Sequence, residues 1–376
     1  MQNTLGACRP WNKKTNRYSK RNGNCARTFN STTIGTTMTV AMVISKDRLE
    51  QEHALFNRLV IGLLDAGNQI IRVVPETETD ELPYYEQSVS LAKRITTPMP
   101  ISRLLRSERK EKLIEQFEKN EVKMIVGFGK DAMQVAIDVG KAIDVPIMCE
   151  VVSMRDTKAI KKSSPIWRWL AATPSIEKEI ERRVGTERVA LVPLGVTGYS
   201  NEENRDVSKK NCIVVLDASG NAKQTRAVLE SLRSNSNVHI FLELLGKHEH
   251  RIWKIIRQLE MQHCVTCLLD TSELRTLIMH CDLLVIPNNT MPIRSILLEA
   301  MLQRVPVVCT ELPGFDMLID KETALIVRND WKSAIATLLD PGSEASAIGD
   351  NGAELIKEKY ASATQIAAFE AAFTLI

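Results

Sequence analysis

Residues 281–327 read CDLLVIPNNTMPIRSILLEAMLQRVPVVCTELPGFDMLIDKETALIV, and this stretch decides the fold. Two short apolar runs, 283–286 and 305–309, flank a segment whose apolar residues recur at helical spacing. Buried strand, helix and buried strand in succession is the pattern of a parallel sheet. In the helix expected near 294–303, Leu297, Leu298, Met301 and Leu302 form the buried stripe, while Ser295, Glu299 and Gln303 repeat every four residues and share another face. A helix that follows a strand in this way turns its unpaired N–H groups toward the carboxyl edge of the sheet, where nucleotides and phosphates bind. Glu299, one turn in, can accept hydrogen bonds from sugar hydroxyls. Periodicity alone favours the plainer alternative, a solvated Glu on an amphipathic helix.

Strand and helix alternate on both sides of this segment, as in doubly wound α/β proteins. Strands are expected at 38–45, 69–74, 122–127 and 145–152, with helices at 48–66, 108–119 and 131–143. A second series has strands at 189–192, 212–217, 238–245, 264–268, 283–286, 305–309 and 324–327. Its helices fall near 223–233, 248–261, 271–280, 294–303, 314–319 and 330–339, and helix-favouring sequence runs from 345 to 376. The polar, turn-rich stretch between Gly195 and Asn211 separates the two series. Length agrees, because 376 residues exceed what one core usually covers.

The net charge of +3 is unevenly distributed. Residues 1–37 carry seven basic side chains and no acids, which leaves 42 basic against 46 acidic residues, a net −4, in the remainder. Positive charge held in a tail argues against a nucleic-acid binder. The tail lacks hydrophobic periodicity and a secretory apolar core, so it is expected to be disordered, or an over-extended start with initiation at Met38. No apolar run reaches bilayer length. The eight cysteines are scattered, several in apolar strand-like runs, which suggests a reducing, cytoplasmic setting. Cys264 and Cys267, with His263, His280 and Cys281 nearby, match no common zinc spacing, and no metal site is expected. Gly127 and Gly129 after a strand suit a tight strand-to-helix turn better than an anion cradle.

From Pro287 onward the sequence resembles, without gaps, the donor-binding segment of the retaining GT-B glycosyltransferases of family 4. Leu298-Glu299-Ala300-Met301, Val305-Pro306-Val307-Val308, Pro313-Gly314 and Glu322-Thr323-Ala324-Leu325-Ile326-Val327 carry the likeness. Leu63 to Val74, Val145-Pro146-Ile147-Met148 and Val189 to Val196 extend it more thinly into the first half. The resemblance implies two Rossmann-like domains facing a cleft. The acceptor-side domain would span 38–200, with the C-terminal helix, about 355–376, crossing back onto it, and the nucleotide-sugar domain would span 205–354. It further implies metal-independent transfer of a hexose, with retention, onto a glycan or lipid-linked acceptor in polysaccharide biosynthesis. No cofactor beyond the nucleotide-sugar substrate is implied.

Residue by residue, the resemblance places Glu299 on the ribose, with Ser295 on the same helix face, and Lys223 at a diphosphate-binding lysine position. Other positions depart from the pattern. Asp217 stands where the family has an Arg, and it would repel a diphosphate. Met291-Pro292-Ile293-Arg294 replaces Glu-Gly-Phe-Gly, which removes a sugar acceptor and, at Pro292, a backbone donor. Arg294 brings a guanidinium to the mouth of the helix and is expected to substitute for the lost Arg with Lys223 as partner; the alternative is a surface Arg on an exposed loop. The family His aligns near Val152-Ser153 and is missing, and Ser45 to Glu50 replaces a glycine-rich acceptor loop. The basic segment Lys158 to Leu170 reads as a loop entering a half-buried strand, with peripheral contact to an anionic membrane face as the alternative. Nucleotide-sugar glycosyltransferase is the leading expectation, and a catalytically inactive GT-B scaffold or glycan-binding partner is the alternative. An epimerase or phosphorylase has no specific residue in its favour.

Overall fold

Strands rich in Val, Ile and Leu cannot face water on either side, so they collect in sheet centres and take helices on both faces. The computed structural model describes residues 38–76, 91–99, 106–198, 211–244, 249–269, 271–278, 280–328, 330–340 and 344–373. All lie in one unit, Thr37–Ile376. The basic tail, with Cys8 and Cys25, and positions 199–210 of the expected domain break lie outside the described residues.

The first half runs β1 (Thr39–Ile44), α1 (Lys46–Asp65), β2 (Gln69–Pro75), β3 (Lys93–Thr97), α2 (Arg106–Lys119), β4 (Met124–Phe128), α3 (Lys130–Ile143), β5 (Ile147–Val151), α4 (Met154–Thr157), β6 (Arg168–Ala171), α5 (Pro174–Val184) and β7 (Val189–Leu191). The second runs β8 (Asn211–Val215), α6 (Ala222–Leu232), β9 (Val238–Glu243), α7 (Glu249–Gln258), β10 (Val265–Leu268), α8 (Thr271–Ile278), β11 (Leu283–Ile286), α9 (Ser295–Leu302), β12 (Val307–Cys309), β13 (Leu325–Ile326), α10 (Trp331–Leu339), α11 (Glu344–Lys359) and α12 (Ser362–Phe373).

Both sheets are parallel. Their orders, β3-β2-β1-β4-β5-β6-β7 and β10-β9-β8-β11-β12-β13, follow one scheme in which strands are added first to one side and then to the other. The direction of addition reverses between β1 and β4 and between β8 and β11, and a crevice opens beyond the carboxyl ends of those strands. Every residue of β1, β4 and β11 is buried.

Several elements differ from the sequence expectation. Residues 314–319 form turns rather than a helix. β3 and β6 were not expected as strands: β3, KRITT, is an edge strand with polar residues at exposed positions, and β6 is only four residues long. Helix α5 was not expected either, although Pro174 at its first turn is a start signal. The long C-terminal helical stretch breaks at Tyr360 and Ala361, where Val196 and Ser362 exchange backbone bonds with residues 360 and 196. After that break α12 packs against α1, with Phe369 against Phe128 at 6.2 Å and Phe128 against Phe56 at 5.5 Å between ring centroids. Gly129 has φ +89°, and a Cβ there would lie 2.2 Å from Ser45 Oγ, so turn and close approach account for that glycine. Ile160, Ile166 and Trp169 of the basic segment are buried, and Arg188 pins its backbone through the carbonyls of Lys162, Ser164 and Ile166. Among the described residues no helix is long and apolar enough to cross a membrane.

Candidate active site at the second switch point

Beyond Val215 the chain turns through Asp217, whose φ of +48° lies in the left-handed region that Asp tolerates better than most residues. Asn221 then caps α6 by accepting from the Gln224 amide at 3.2 Å. Asp217 ties the loops after three strands together. Its amide donates to Glu243 Oε2 at 2.9 Å, and its Oδ2 accepts from Asn288 Nδ2 at 2.5 Å. A Cβ on Gly220 would lie 2.1 Å from that same Asn288 nitrogen, so the loops after β8 and β11 meet only because residue 220 has no side chain. Burial pushes the Asp217 carboxyl above its ordinary range; the Glu243 charge adds to this, and Asn288 and Arg294 offset part of it.

Arg294 stands at the N-cap position of α9, 2% exposed. This overturns the alternative of a surface Arg on an exposed loop. Its Nη1 donates to both Glu243 oxygens, at 2.8 and 2.7 Å, because a buried acid at the end of β9 requires a partner. Its Nε and Nη2 have no hydrogen-bond partner among the described residues. Lys223, in the first turn of α6, is exposed and forms no ion pair among the described residues, whereas Arg294 pairs with Glu243.

Ser295 opens α9 fully buried. Its amide donates to Glu52 Oε1 at 3.0 Å and its hydroxyl to Glu52 Oε2 at 2.5 Å. Glu52 comes from α1 in the first half, at a position where the helix departs to φ −128° and ψ 22°. Burial pushes its carboxyl up, but Arg48, Arg275, Arg294 and the Ser295 hydroxyl outweigh burial and hold it below the usual carboxylate range. Arg48 lies 3.4 Å from Glu52 and makes a two-nitrogen contact with Glu150, at 3.0 and 3.1 Å.

Glu299 faces the same seam. Its Oε1 accepts from Arg58 of α1 at 3.0 Å and its Oε2 from Arg275 of α8. Arg275 also donates to Ser295 Oγ at 2.9 Å and to the Gln51 carbonyl at 3.2 Å. A cavity of about 170 Å³, lined by Arg58, Thr197, Arg275, Glu299 and Gln303, opens beside this pair. Of the sequence-derived residues, Glu299, Ser295 and Arg294 therefore share one site, joined through Arg275 and Glu52, and Lys223 lies apart from their contacts.

Two backbone donors of the loop before α9 are spent within the chain. Ile293 N–H bonds the Val152 carbonyl at 2.8 Å, Thr290 N–H bonds Asn288 Oδ1 at 3.1 Å, and Pro292 has none to give. At the first-half edge, where the family has an imidazole, the Ser153 hydroxyl accepts from the Arg155 amide at 3.1 Å. A second cleft of about 490 Å³ lies there, lined by Ser153, Arg155, Lys158, Arg183, Thr290 and Met291.

Glu52, Arg58, Glu243 and Arg275 were missed in the sequence. Arg48 and Glu52 are spaced i, i+4 and interrupt the apolar run of α1, and Glu243 ends an otherwise apolar strand. Such charges at buried positions are the available signal.

Two parallel sheets of this order, with their carboxyl edges meeting across a polar seam, define the GT-B class. Residues 214–340 match the family described as Glycosyl transferases group 1. Solved structures match along nearly the whole chain. Sucrose-phosphate synthase from Thermosynechococcus elongatus is 16% identical with a TM-score of 0.71, over 90% of this chain and 98% of that one. Anabaena Alr3699/HepE in complex with UDP-glucose is 11% identical with a TM-score of 0.72, over 90% and 100%. The lipopolysaccharide outer core galactosyltransferase WaaB, in its apo form, is 13% identical with a TM-score of 0.65, over 90% and 100%. No curated protein matches the chain in sequence.

Proposed function

We propose that this protein is a glycosyltransferase that binds a nucleotide-sugar at the second switch point. It would move a hexose, with retention and without a metal, onto a glycan or lipid-linked acceptor held by the first half. The observation that carries this reading is the convergence of Glu299, Arg275, Ser295 and Arg294 at the N-terminus of α9, within a region that matches group 1 glycosyl transferases. Glu299 beside the smaller cavity is suited to the ribose hydroxyls. Lys223 and the unspent Nε and Nη2 of Arg294 are suited to the diphosphate. UDP and UDP-glucose in the Anabaena neighbour's site support a uridine nucleotide as the first donor to try. A cytoplasmic enzyme in polysaccharide biosynthesis, touching the inner membrane face where a lipid acceptor is presented, fits this reading. Calorimetric titration with UDP-, GDP- and ADP-sugars tests it. Binding of one of them, weakened at least tenfold in Glu299→Ala, is expected, and no binding to any defeats it.

A second reading is favoured by the spent donors of the loop before α9. With Ile293 N–H on Val152 and Ser295 N–H on Glu52, and with Asp217 where a cation would help, the chain suits an inactive GT-B scaffold or glycan-binding partner. Release of free nucleoside diphosphate from a bound donor sinks that reading.

A further inference from the structure

The N-terminus of α9 holds an anion already, and that anion belongs to the protein. Both oxygens of Glu52 are committed to Ser295, one to its amide and one to its hydroxyl, at 3.0 and 2.5 Å. Arg275 approaches the same carboxylate at 3.6 Å. This combination of backbone N–H, hydroxyl and guanidinium is what a helix N-terminus offers to one edge of a phosphate. Beside it, Arg294 is 2% exposed and keeps Nε and Nη2 without partners among the described residues, although a buried guanidinium normally satisfies its donors. Two unspent buried donors next to a helix terminus filled by a carboxylate describe an anion site only partly satisfied by its present occupant. The carboxylate arrives from the other half of the molecule, at the residue where α1 loses helical geometry.

We propose that Glu52 is an internal competitor for the anionic group of the donor: it fills the Ser295–Arg275 site in the free protein, and an incoming diphosphate must displace it. The proposal rests on the donor site assigned under Proposed function. It makes Glu52 a specificity determinant. A ligand displaces the carboxylate only by bringing more negative charge and more acceptors than a carboxylate has, which a diphosphate does and a nucleoside or neutral sugar does not. Displacement also breaks the buried contact between α1 and α9 and leaves the partly exposed pair of Arg58 with Glu299 to join them directly, so binding and loosening of this seam are coupled.

Glu52→Gln tests this in the full chain. The amide keeps the shape and loses the charge, and neither guanidinium is stranded, because Arg48 retains Glu150 and Arg275 retains Glu299. Inorganic pyrophosphate is the probe, titrated calorimetrically, with hydrogen exchange at the Ser295 amide followed in parallel. Glu52→Gln is expected to bind pyrophosphate roughly tenfold or more tightly than the parent, as suits removal of one charge-assisted competitor. Its Ser295 amide is expected to exchange faster when free and to be protected when pyrophosphate binds. Equal affinity in the two proteins, no pyrophosphate binding by either, or unchanged Ser295 exchange overturns the proposal. Where Glu52→Gln does not fold, Glu52→Asp, too short to keep both contacts, is held to the same comparison. Failure of the donor reading looks different: no nucleotide-sugar binds to any variant, while the pyrophosphate difference persists.

Discussion

Arg294 and Glu243 each have side chains only 2% exposed, and they meet at 2.7 Å. Their mutual attraction offsets the desolvation of both, so removal of one partner strands the other. Arg294→Met is expected to lower unfolding stability by about 3–5 kcal/mol, measured in denaturant, whereas Arg294→Met with Glu243→Leu recovers much of that loss. Asp217 and Glu52 titrate with opposite signs. The Asp217 carboxyl is raised, so its ionised form costs stability at neutral pH, and the cost disappears as pH falls through the raised value. Asp217→Asn is therefore expected to stabilise the protein at pH 7 and to lose that advantage in acid, with the αL backbone tolerated by Asn. Thermal melts across pH check it. The Glu52 carboxyl is lowered by Arg48, Arg275, Arg294 and Ser295 against the push of burial. Its contribution is complete above the ordinary carboxylate value of 4.5 and drains away as pH falls below it. Glu52→Gln should flatten that acid limb of the stability profile.

At the scale of elements, α9 is capped at its N-terminus by a neighbour rather than by its own N-cap side chain, and its C-terminus packs closely on a neighbour. Arg294 at its N-cap position makes no side-chain cap bond, and Glu52 supplies that bond from α1. Past its C-terminus, the Arg304 carbonyl lies against α11, where a Cβ on Gly349 would sit 2.4 Å from the Arg304 oxygen. Ala is the better helix former, yet Gly349→Ala is expected to cost about 1–3 kcal/mol because backbone must move; a denaturation midpoint reads it directly. What was legible in the sequence follows from this division. Glu299, Ser295 and Arg294 lie in one continuous strand–helix–strand run whose periodicity states its own geometry. The partners that complete the site do not: Glu52 meets Ser295 across 243 positions and Arg58 meets Glu299 across 241. No local pattern encodes a contact made by docking two halves. The turn at 314–319 misled for a related reason, since its apolar residues are buried against neighbouring elements and not by helical repetition. Phe315 and Met317 are buried there, Thr173 Oγ1 bonds the Gly314 carbonyl at 2.8 Å, and Asp316 accepts from the Ser175 amide at 2.7 Å.

Across the whole molecule, the two sheets are fastened by contacts of unequal depth. Glu52 with Ser295 is buried, whereas Arg58 and Glu299 are 22% and 17% exposed and open to solvent screening. Arg58→Ala is accordingly expected to loosen the seam without unfolding either half. A larger radius of gyration by small-angle scattering, with an unchanged far-ultraviolet dichroism spectrum, is the outcome to look for, and a bound nucleotide-sugar should raise the melting temperature of both proteins. The packing of Phe369 on Phe128 has a consequence of another kind. The first half's aromatic cluster is finished by a helix that is synthesised only after the strands and helices of the second half have been made. At about 5–20 residues per second, Phe56 and Phe128 wait on the order of tens of seconds for Phe369. The half synthesised first is thus completed only after the second half has been made.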